Sequence, residues 1–435
     1  MVEPLSPDQL QFLYQTAYDS ILDLADEQGI AASSRQEAYG CLFGRDSAIS
    51  ILKLLEVCKK KPDQKLLDIC RRTLLTHTLL QGQNYVLESG EEPGKFIHEF
   101  RQSNYDRLIN RPKPWYVYPD KILRNYDSVD STPLLLLAYY RYWQVTQDND
   151  FLLRVLPHVE AGLKWLITDG DKDRDFLIEY ELPSKRTHGG LVVQSWTDSF
   201  ACLTSAQGEF PIYPIAAVEV QAIAWATLKT WAAFFAARDT QYVFAQQLEA
   251  FAQQLKVTFN RQFVIRDRFG KPIYAHQALD GNKKPVSTVT GNPLLCLWAD
   301  YQPQNGQPEA IIDRITMHAW VERAFAKDLF DELAGIRTMS QLSPTFDPSN
   351  QSYHNGSFWP FFNGLIYEGL VKWGFHAQAS ALRTASLIPL SYFGCPIELY
   401  CSVKPGVYSE YISPTGKKGC RYQAWTAAAL LDWLS

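Results

Sequence analysis

The sequence carries little charge of either sign in excess. Its 42 Lys and Arg stand against 47 Asp and Glu, a formal net charge of −5 over 435 residues, which leaves no basic footprint for nucleic acid or an anionic membrane. A basic and then apolar leader is missing from MVEPLSPDQLQFLYQ, so a cytoplasmic chain is expected. No long apolar run is uninterrupted either. The longest, Tyr213 to Ala237, contains Glu219, Gln221 and Lys229 and reads as a buried helix, because a charge at mid-membrane is costly. The eight Cys are scattered without a CxxC pair, which excludes a dense disulfide framework and points to free thiols. The chain also lacks GxGxxG, GxxxxGKS, HExxH and GxSxG. Their absence removes the usual signals for nucleotide cofactors, a catalytic metal and a serine nucleophile, and no cofactor is expected.

What the chain has in quantity is aromatic surface, 13% Phe, Trp and Tyr, arranged on helical periods. Leu10, Leu13, Ala17, Ile21 and Leu24 advance by three or four, as do Leu152, Val155, Val159, Leu163 and Leu166, the mark of one-faced helices. Alternating with these are segments that are apolar nearly all round and open on a polar residue: Asp46, Asp130, Glu219, Asn292, Asn355 and Gln423. The openings recur at intervals of 84, 89, 73, 63 and 68 residues, a repeat in architecture without a repeat in sequence. Six one-faced helices (near 8–28, 63–81, 149–168, 240–260, 308–329 and 376–390) interleaved with six buried ones predict an all-α (α/α)6 barrel of twelve helices, in a single catalytic domain over 1–435.

Long connections at 82–126, 169–214, 264–291, 335–354 and 391–420 all precede an inner helix, so elaboration concentrates at one end of the barrel, where a pocket is expected. Asp46, Asp130 and Asn355 are equally explained as helix N-caps when each is taken alone. The loops combine carboxylates with aromatics, as in VVQSWTDS (192–199), SYHNGSFWP (352–360) and PIELYC (396–401). Sugars present apolar C–H faces to aromatic rings and hydroxyls to carboxylates, amides and arginines. Glycoside hydrolysis needs two carboxyl groups, and Asp198 beside Trp196 and Glu398 in an apolar turn are the candidates. Either could instead be an ion-paired structural carboxylate.

FGRDSAIS (43–50), EEPGKFIHEFR (91–101), SVDSTPLLLL (128–137), QSWTDS (194–199), VEVQA (218–222), GIRTMS (335–340), SYHNGSFWP (352–360), IELYC (397–401) and YQAW (422–425) occur in the order seen in amylo-α-1,6-glucosidase domains of glycogen debranching enzymes. From about residue 39 onward the chain resembles that family, which is similar to glucoamylases, trehalases and glucosylglycerate and mannosylglycerate hydrolases. The resemblance implies an (α/α)6 barrel and an inverting mechanism, with Asp198 as general acid and Glu398 as general base. It further implies sugar contacts from Arg45, Asp46, Trp196, His354, Asn355, Trp359, Gln423 and Trp425. The expected substrate is an α-linked glucose on a glycogen- or starch-derived oligosaccharide, with a small glucoside (glucosylglycerate, trehalose, sucrose) as the alternative. A non-catalytic sugar-binding relative is a third reading, disfavoured by the acid and base pair.

DGDKDRDFLIEY (169–180) alternates acidic residues as a calcium loop does, but it has Arg174 where such a loop needs Gly and Tyr180 where it needs Glu. Glu219 and Gln221 could cap a buried helix or reach a sugar. Glu91, Glu92, Glu99 and Arg101 suit an ion-pair cluster fixing a loop. Pro157 predicts a kink in an outer helix.

Overall fold

The structure is a computed structural model and describes residues 5–205, 207–238, 241–303 and 306–435. Among the described residues there are twelve main helices: α1 (Pro7–Leu24), α2 (Gly44–Lys60), α3 (Gln64–Leu79), α4 (Ser131–Thr146), α5 (Asn149–Ile167), α6 (Val218–Ala236), α7 (Tyr242–Gln262), α8 (Leu295–Trp298), α9 (Arg314–Ala324), α10 (Pro360–Lys372), α11 (His376–Phe393) and α12 (Ala424–Leu434), with α1 packed against α12. A further single turn of helix, Asp106–Ile109, lies in a loop. The even-numbered helices touch one another in a closed cycle, α2 to α4, α6, α8, α10, α12 and back to α2. This is the inner ring of an (α/α)6 barrel, and the odd-numbered helices lie outside it.

Burial follows the sequence pattern. In α2 every residue from Gly44 to Leu55 is buried, and in α6 every residue from Val218 to Leu228, whereas α1 buries only Leu13, Ala17, Ser20, Ile21 and Leu24 along one face. The ends differ in chemistry as well. Outer helices α1, α3, α5 and α9 start on side-chain caps from Ser6, Asp63, Asp148 and Asp313, which satisfy free N–H groups of the first turn. At the starts of inner helices α2, α4, α6, α10 and α12 the residue before the first turn makes no side-chain cap bond. Asp130 occupies one of those positions and Asp46 lies in the first turn of α2 behind Phe43, so the capping reading does not hold for either.

The fourth inner segment is short, a 3-10 turn at Asn292–Leu294 running into α8. The fifth begins later than expected. Pro360 occupies its first turn and Trp359 before it is extended (φ −117°, ψ 114°), because the residue ahead of a proline is driven out of the α region. Asn355 therefore lies in the preceding loop instead of opening the helix. The fifth outer helix is also shorter, since Asp313 caps Thr316 N–H at 2.8 Å and Glu309–Ala310 pairs with Asp300–Tyr301. Pro157 does lie within α5, and Pro389 within α11. Short strands of two to five residues form small sheets in the loops, which helical periodicity gave no reason to expect. One of them, Leu42–Phe43 with Glu99–Arg101 and Leu123–Asn125, leads into α2 and fixes the wall of the site.

Lys53, fully buried in α2, reaches Asp432 of α12 at 2.6 Å and Glu368 of α10 at 2.9 Å. Burial alone would lower its pKa, but the two carboxylates hold it above the usual lysine value. Lys53→Met leaves Asp432 with only Lys60 at 3.0 Å and Glu368 with only Lys372 at 4.0 Å. Removing one member of a fully orphaned buried pair costs about 3–5 kcal/mol, so urea denaturation should show a smaller but clear loss; an unchanged midpoint would contradict a supporting role for this contact.

Candidate active site

At the end of the barrel where the inner helices start, a cavity of about 380 Å³ is lined by residues from six separate stretches of chain, between Tyr39 and Trp425. Its floor is aromatic. Trp196 stacks on Phe362 with centroids 4.7 Å apart and meets His354, Trp359 and Phe361 edge-on. His354 lies flat against Trp359 at 4.9 Å, and Phe361 against Trp425 at 3.8 Å. Such offset and edge-to-face contacts fix the rings without consuming their polar atoms.

Those polar atoms are free. Arg45 Nη2, His98 Nδ1, Trp196 Nε1, both ring nitrogens of His354, Gln423 Oε1 and Trp425 Nε1 are buried without a hydrogen-bond partner among the described residues. Buried polar groups are ordinarily paired, so this cluster of unpaired donors and acceptors among the cavity-lining residues is not explained by contacts within the chain. Burial, with Arg45 nearby, pushes the His354 pKa well below the usual histidine value, so its ring is neutral and offers one donor and one acceptor.

Asp198 and Glu398 also line the cavity. Asp198, in the turn before a 3-10 segment at Phe200–Cys202, keeps a quarter of its side chain exposed and accepts a hydrogen bond from Arg45 Nη1 at 3.1 Å. Burial raises its pKa to about 6, against the lowering pull of Arg45. Glu398 is buried and held from two sides: Tyr353 Oη donates to Oε1 at 2.7 Å, and Cys420 N–H donates to Oε2 at 2.7 Å. Burial pushes its pKa above the glutamate value, while those two donors favour the charged form. A third carboxyl, Asp46 in the first turn of α2, takes a bond from Gln423 Nε2 at 3.1 Å; burial raises it to about 7. Arg45 Nε also binds Asp130 at 2.7 Å, and Ser128 Oγ donates to the same carboxylate at 2.6 Å.

Of the residues singled out in the sequence, Arg45, Asp46, Trp196, Asp198, His354, Trp359, Glu398, Gln423 and Trp425 line this one cavity. Asn355 does not. Its amide donates to Thr345 O at 3.2 Å and accepts from Ser352 Oγ at 3.3 Å, so it braces its own loop, one residue past the position that faces the cavity. Tyr39, Phe43, His98, Glu99, Arg107, Arg111, Tyr353 and Lys417 also line the site. Tyr353, His98 and Glu99 fall inside motifs already noted, but no local pattern marks Tyr39, Arg107, Arg111 or Lys417.

Gln221 bonds the backbone of Ile178 at both N–H and C=O and is structural. Glu219 is buried below the site without a hydrogen-bond partner among the described residues; burial raises its pKa to about 7. The loop acids divide. Glu99 pairs with Arg101, Glu92 with Lys172 at 2.7 Å, and Glu91 accepts from Gln83 N–H at 2.8 Å. In the 169–180 loop Asp171, Asp173, Asp175 and Glu179 gather within 4.8 Å, and Lys283 bonds three of them at 2.6–2.9 Å. A single cation from the chain itself thus sits among these acids as a partial counterion.

An (α/α)6 barrel whose helix starts surround an aromatic, carboxyl-bearing cavity defines a glycoside hydrolase of the six-hairpin class. The family profile described as amylo-alpha-1,6-glucosidase matches residues 80–432, and the chain belongs to that family. Among solved structures, GH63 mannosylglycerate hydrolase from Thermus thermophilus in complex with glucose is similar at TM-score 0.66 and 16% identity, over 97% of this chain and 100% of that one. The same enzyme in complex with Tris and D-glycerate is similar at TM-score 0.63 and 16% identity, with the same coverage. A metal-independent alpha mannosidase from Streptococcus pneumoniae, in a non-productive complex with alpha-1,6-mannobiose, is similar at TM-score 0.59 and 13% identity, over 98% of this chain and 93% of that one. At such identities the likeness is one of fold. A comparison with curated proteins gives no match. No helix among the described residues is long and apolar enough to cross a membrane.

Proposed function

We propose that this chain is an inverting, exo-acting α-glucosidase acting on short oligosaccharides derived from glycogen or starch, an amylo-α-1,6-glucosidase-like activity. In this proposal the whole chain, 1–435, is one catalytic domain working in the cytoplasm, where its eight free, buried cysteines suit a reducing environment. The observation that carries the reading is the cavity wall itself: unpaired Arg45, Trp196, His354, Gln423 and Trp425 atoms beside two carboxyl groups in unlike settings. Asp198, with its pKa up to about 6, is suited to hold a proton near neutrality. Glu398, receiving two hydrogen bonds, is suited to remain charged. Pairs of carboxyls whose surroundings separate their roles are the usual basis of acid and base assignment.

In this mechanism Asp198 gives its proton to the glycosidic oxygen as the bond to the anomeric carbon breaks. Glu398 takes a proton from a water whose oxygen attacks that carbon from the opposite face. Glucose leaves with inverted configuration. Proton NMR during the first minutes of turnover should therefore show β-glucose appearing first from an α-glucoside; α-glucose first would rule out the mechanism.

A second reading, hydrolysis of a small glucoside, is favoured by the modest volume of the cavity, near the lower end of the roughly 300–1,000 Å³ typical of small-ligand sites. Glucose release from isomaltose, panose and limit dextrin, set against trehalose, sucrose and glucosylglycerate, separates the two. Activity on limit dextrin alone supports debranching, and activity on one small glucoside alone supports the second reading.

A further inference from the structure

Glu398 stands at the end of a line of hydrogen bonds that starts well away from it in the sequence. Lys417 Nζ donates to Tyr39 Oη at 2.7 Å, the Tyr39 and Tyr353 hydroxyls lie 3.2 Å apart, and Tyr353 Oη donates to Glu398 Oε1 at 2.7 Å. Tyr39 precedes α2, Tyr353 precedes α10, and Glu398 and Lys417 both precede α12, so three loops of the barrel mouth meet in this line. The turn after Ser413 serves both of its ends. Lys417 N–H donates to Ser413 Oγ at 2.9 Å and its carbonyl accepts from Ser413 N–H at 2.7 Å, which fixes the lysine backbone. Three residues on, Cys420 N–H donates to the other oxygen of Glu398.

The direction of this line is forced. A charged lysine offers protons and no lone pair, and a phenol offers one proton. Lys417 therefore makes the Tyr39 oxygen an acceptor, Tyr39 gives its proton to Tyr353, and Tyr353 gives its own to Glu398. Burial holds both phenols well above the usual tyrosine pKa, so each keeps the proton it donates. Neither partner of Glu398 can accept from it in this arrangement, since one is a hydroxyl already committed as donor and the other a backbone N–H. Hydrogen bonds in series polarise one another, which carries the lysine charge to the carboxylate. Asp46 and Tyr411 also face Glu398, Cys420 stands beside both Glu398 and Lys417, and Arg107 and Asp198 face the lysine.

We propose that Lys417, Tyr39 and Tyr353 form a one-way chain of donors that keeps Glu398 ionised and orients it for the attacking water, so that all three are positioning residues of the base. This rests on the glycosidase reading above and adds to it Tyr39 and Lys417, which no local motif marks.

Tyr39→Phe cuts the chain and leaves the lysine charge in place. Loss of donation to the ionised base raises its pKa, and the base is inactive below that pKa. The acidic limb of kcat/KM should therefore move up by about one pH unit, the low end of what one neighbouring group does to a carboxyl, with the basic limb unmoved. Lys417→Met should move the acidic limb at least as far, and the basic limb slightly in the same direction because Lys417 also lowers the Asp198 pKa; Lys417→Arg should restore both. A lysine that only braced its loop would change the thermal melting point and leave the limbs where they are. The same shift is read without turnover by carboxyl NMR on glutamate-labelled protein, the Glu398 signal being the one missing in Glu398→Gln. If the limb and this titration stay in place in both Tyr39→Phe and Lys417→Met, or move in Lys417→Met alone, the chain is overturned and the glycosidase reading stands. If the wild type releases no glucose from any of the glucosides named above, the glycosidase reading falls, and the carboxyl titration still decides whether the chain holds Glu398 ionised.

Discussion

Glu398→Gln and Asp198→Asn should each lower kcat by roughly 10²–10⁴-fold, the range expected for loss of a positioned acid or base. The two losses should differ in kind. α-Glucosyl fluoride needs little help from an acid because fluoride leaves readily, so Asp198→Asn should recover most of its activity on that substrate. Glu398→Gln should not, since water still has to be deprotonated. Neither substitution should lower thermal stability much: both carboxyls are raised in pKa by burial, and an amide removes a buried charge while keeping the shape. Near-native turnover in either variant, or the opposite fluoride pattern, would sink the assignment. In the wild type the pH profile of kcat/KM should be bell-shaped. Its basic limb follows Asp198 near pH 6, and its acidic limb follows Glu398 above the ordinary glutamate pKa.

Arg45→Met should produce the second large effect, on both activity and pH dependence. Arg45 bonds Asp130 and Asp198 from within the cavity wall, and its Nη2 has no partner among the described residues. Losing a charged donor to a sugar hydroxyl costs about 1.5–3 kcal/mol, which corresponds to one to two powers of ten in kcat/KM. The sign of the pH shift follows from the charge. Arg45 pulls the Asp198 pKa down, so without it that pKa rises and the basic limb moves to higher pH. Leaving Asp130 buried without its partner should also destabilise the fold by about 3–5 kcal/mol. A basic limb that stays in place would show that Arg45 does not set the protonation of Asp198.

The ring was legible because its signal is local. An inner helix is apolar on every side, as in Val218–Leu228, and an outer one on a single face, as in α1, so periodicity alone separates them. The site was legible where a residue sits at a helix start or within a motif, as Arg45, Asp46, Gln423 and Trp359 do. It was not legible where loop geometry decides. Tyr39 meets Tyr353 across 314 residues, and Lys417 meets Tyr39 across 378, distances over which sequence spacing carries no information. Asn355 was misplaced for a local reason, since the proline five residues on delays the helix. The acidic 169–180 loop was ambiguous because its counterion, Lys283, comes from a turn more than 100 residues away.

The closure of the inner ring by α12 against α2 has a consequence for the time course of folding. Gln423 bonds Asp46 across 377 residues and Asp432 bonds Lys53 across 379, so α1 and α2, made early on the ribosome, must wait for α12 before their apolar flanks are covered. Contacts between such distant segments form slowly, and a nascent barrel lacking its last inner helix, α12, leaves the apolar faces of α1 and α2 open to chaperones and to other unfinished chains. Chains truncated before Ala424 should accumulate as aggregates rather than as partly active enzyme.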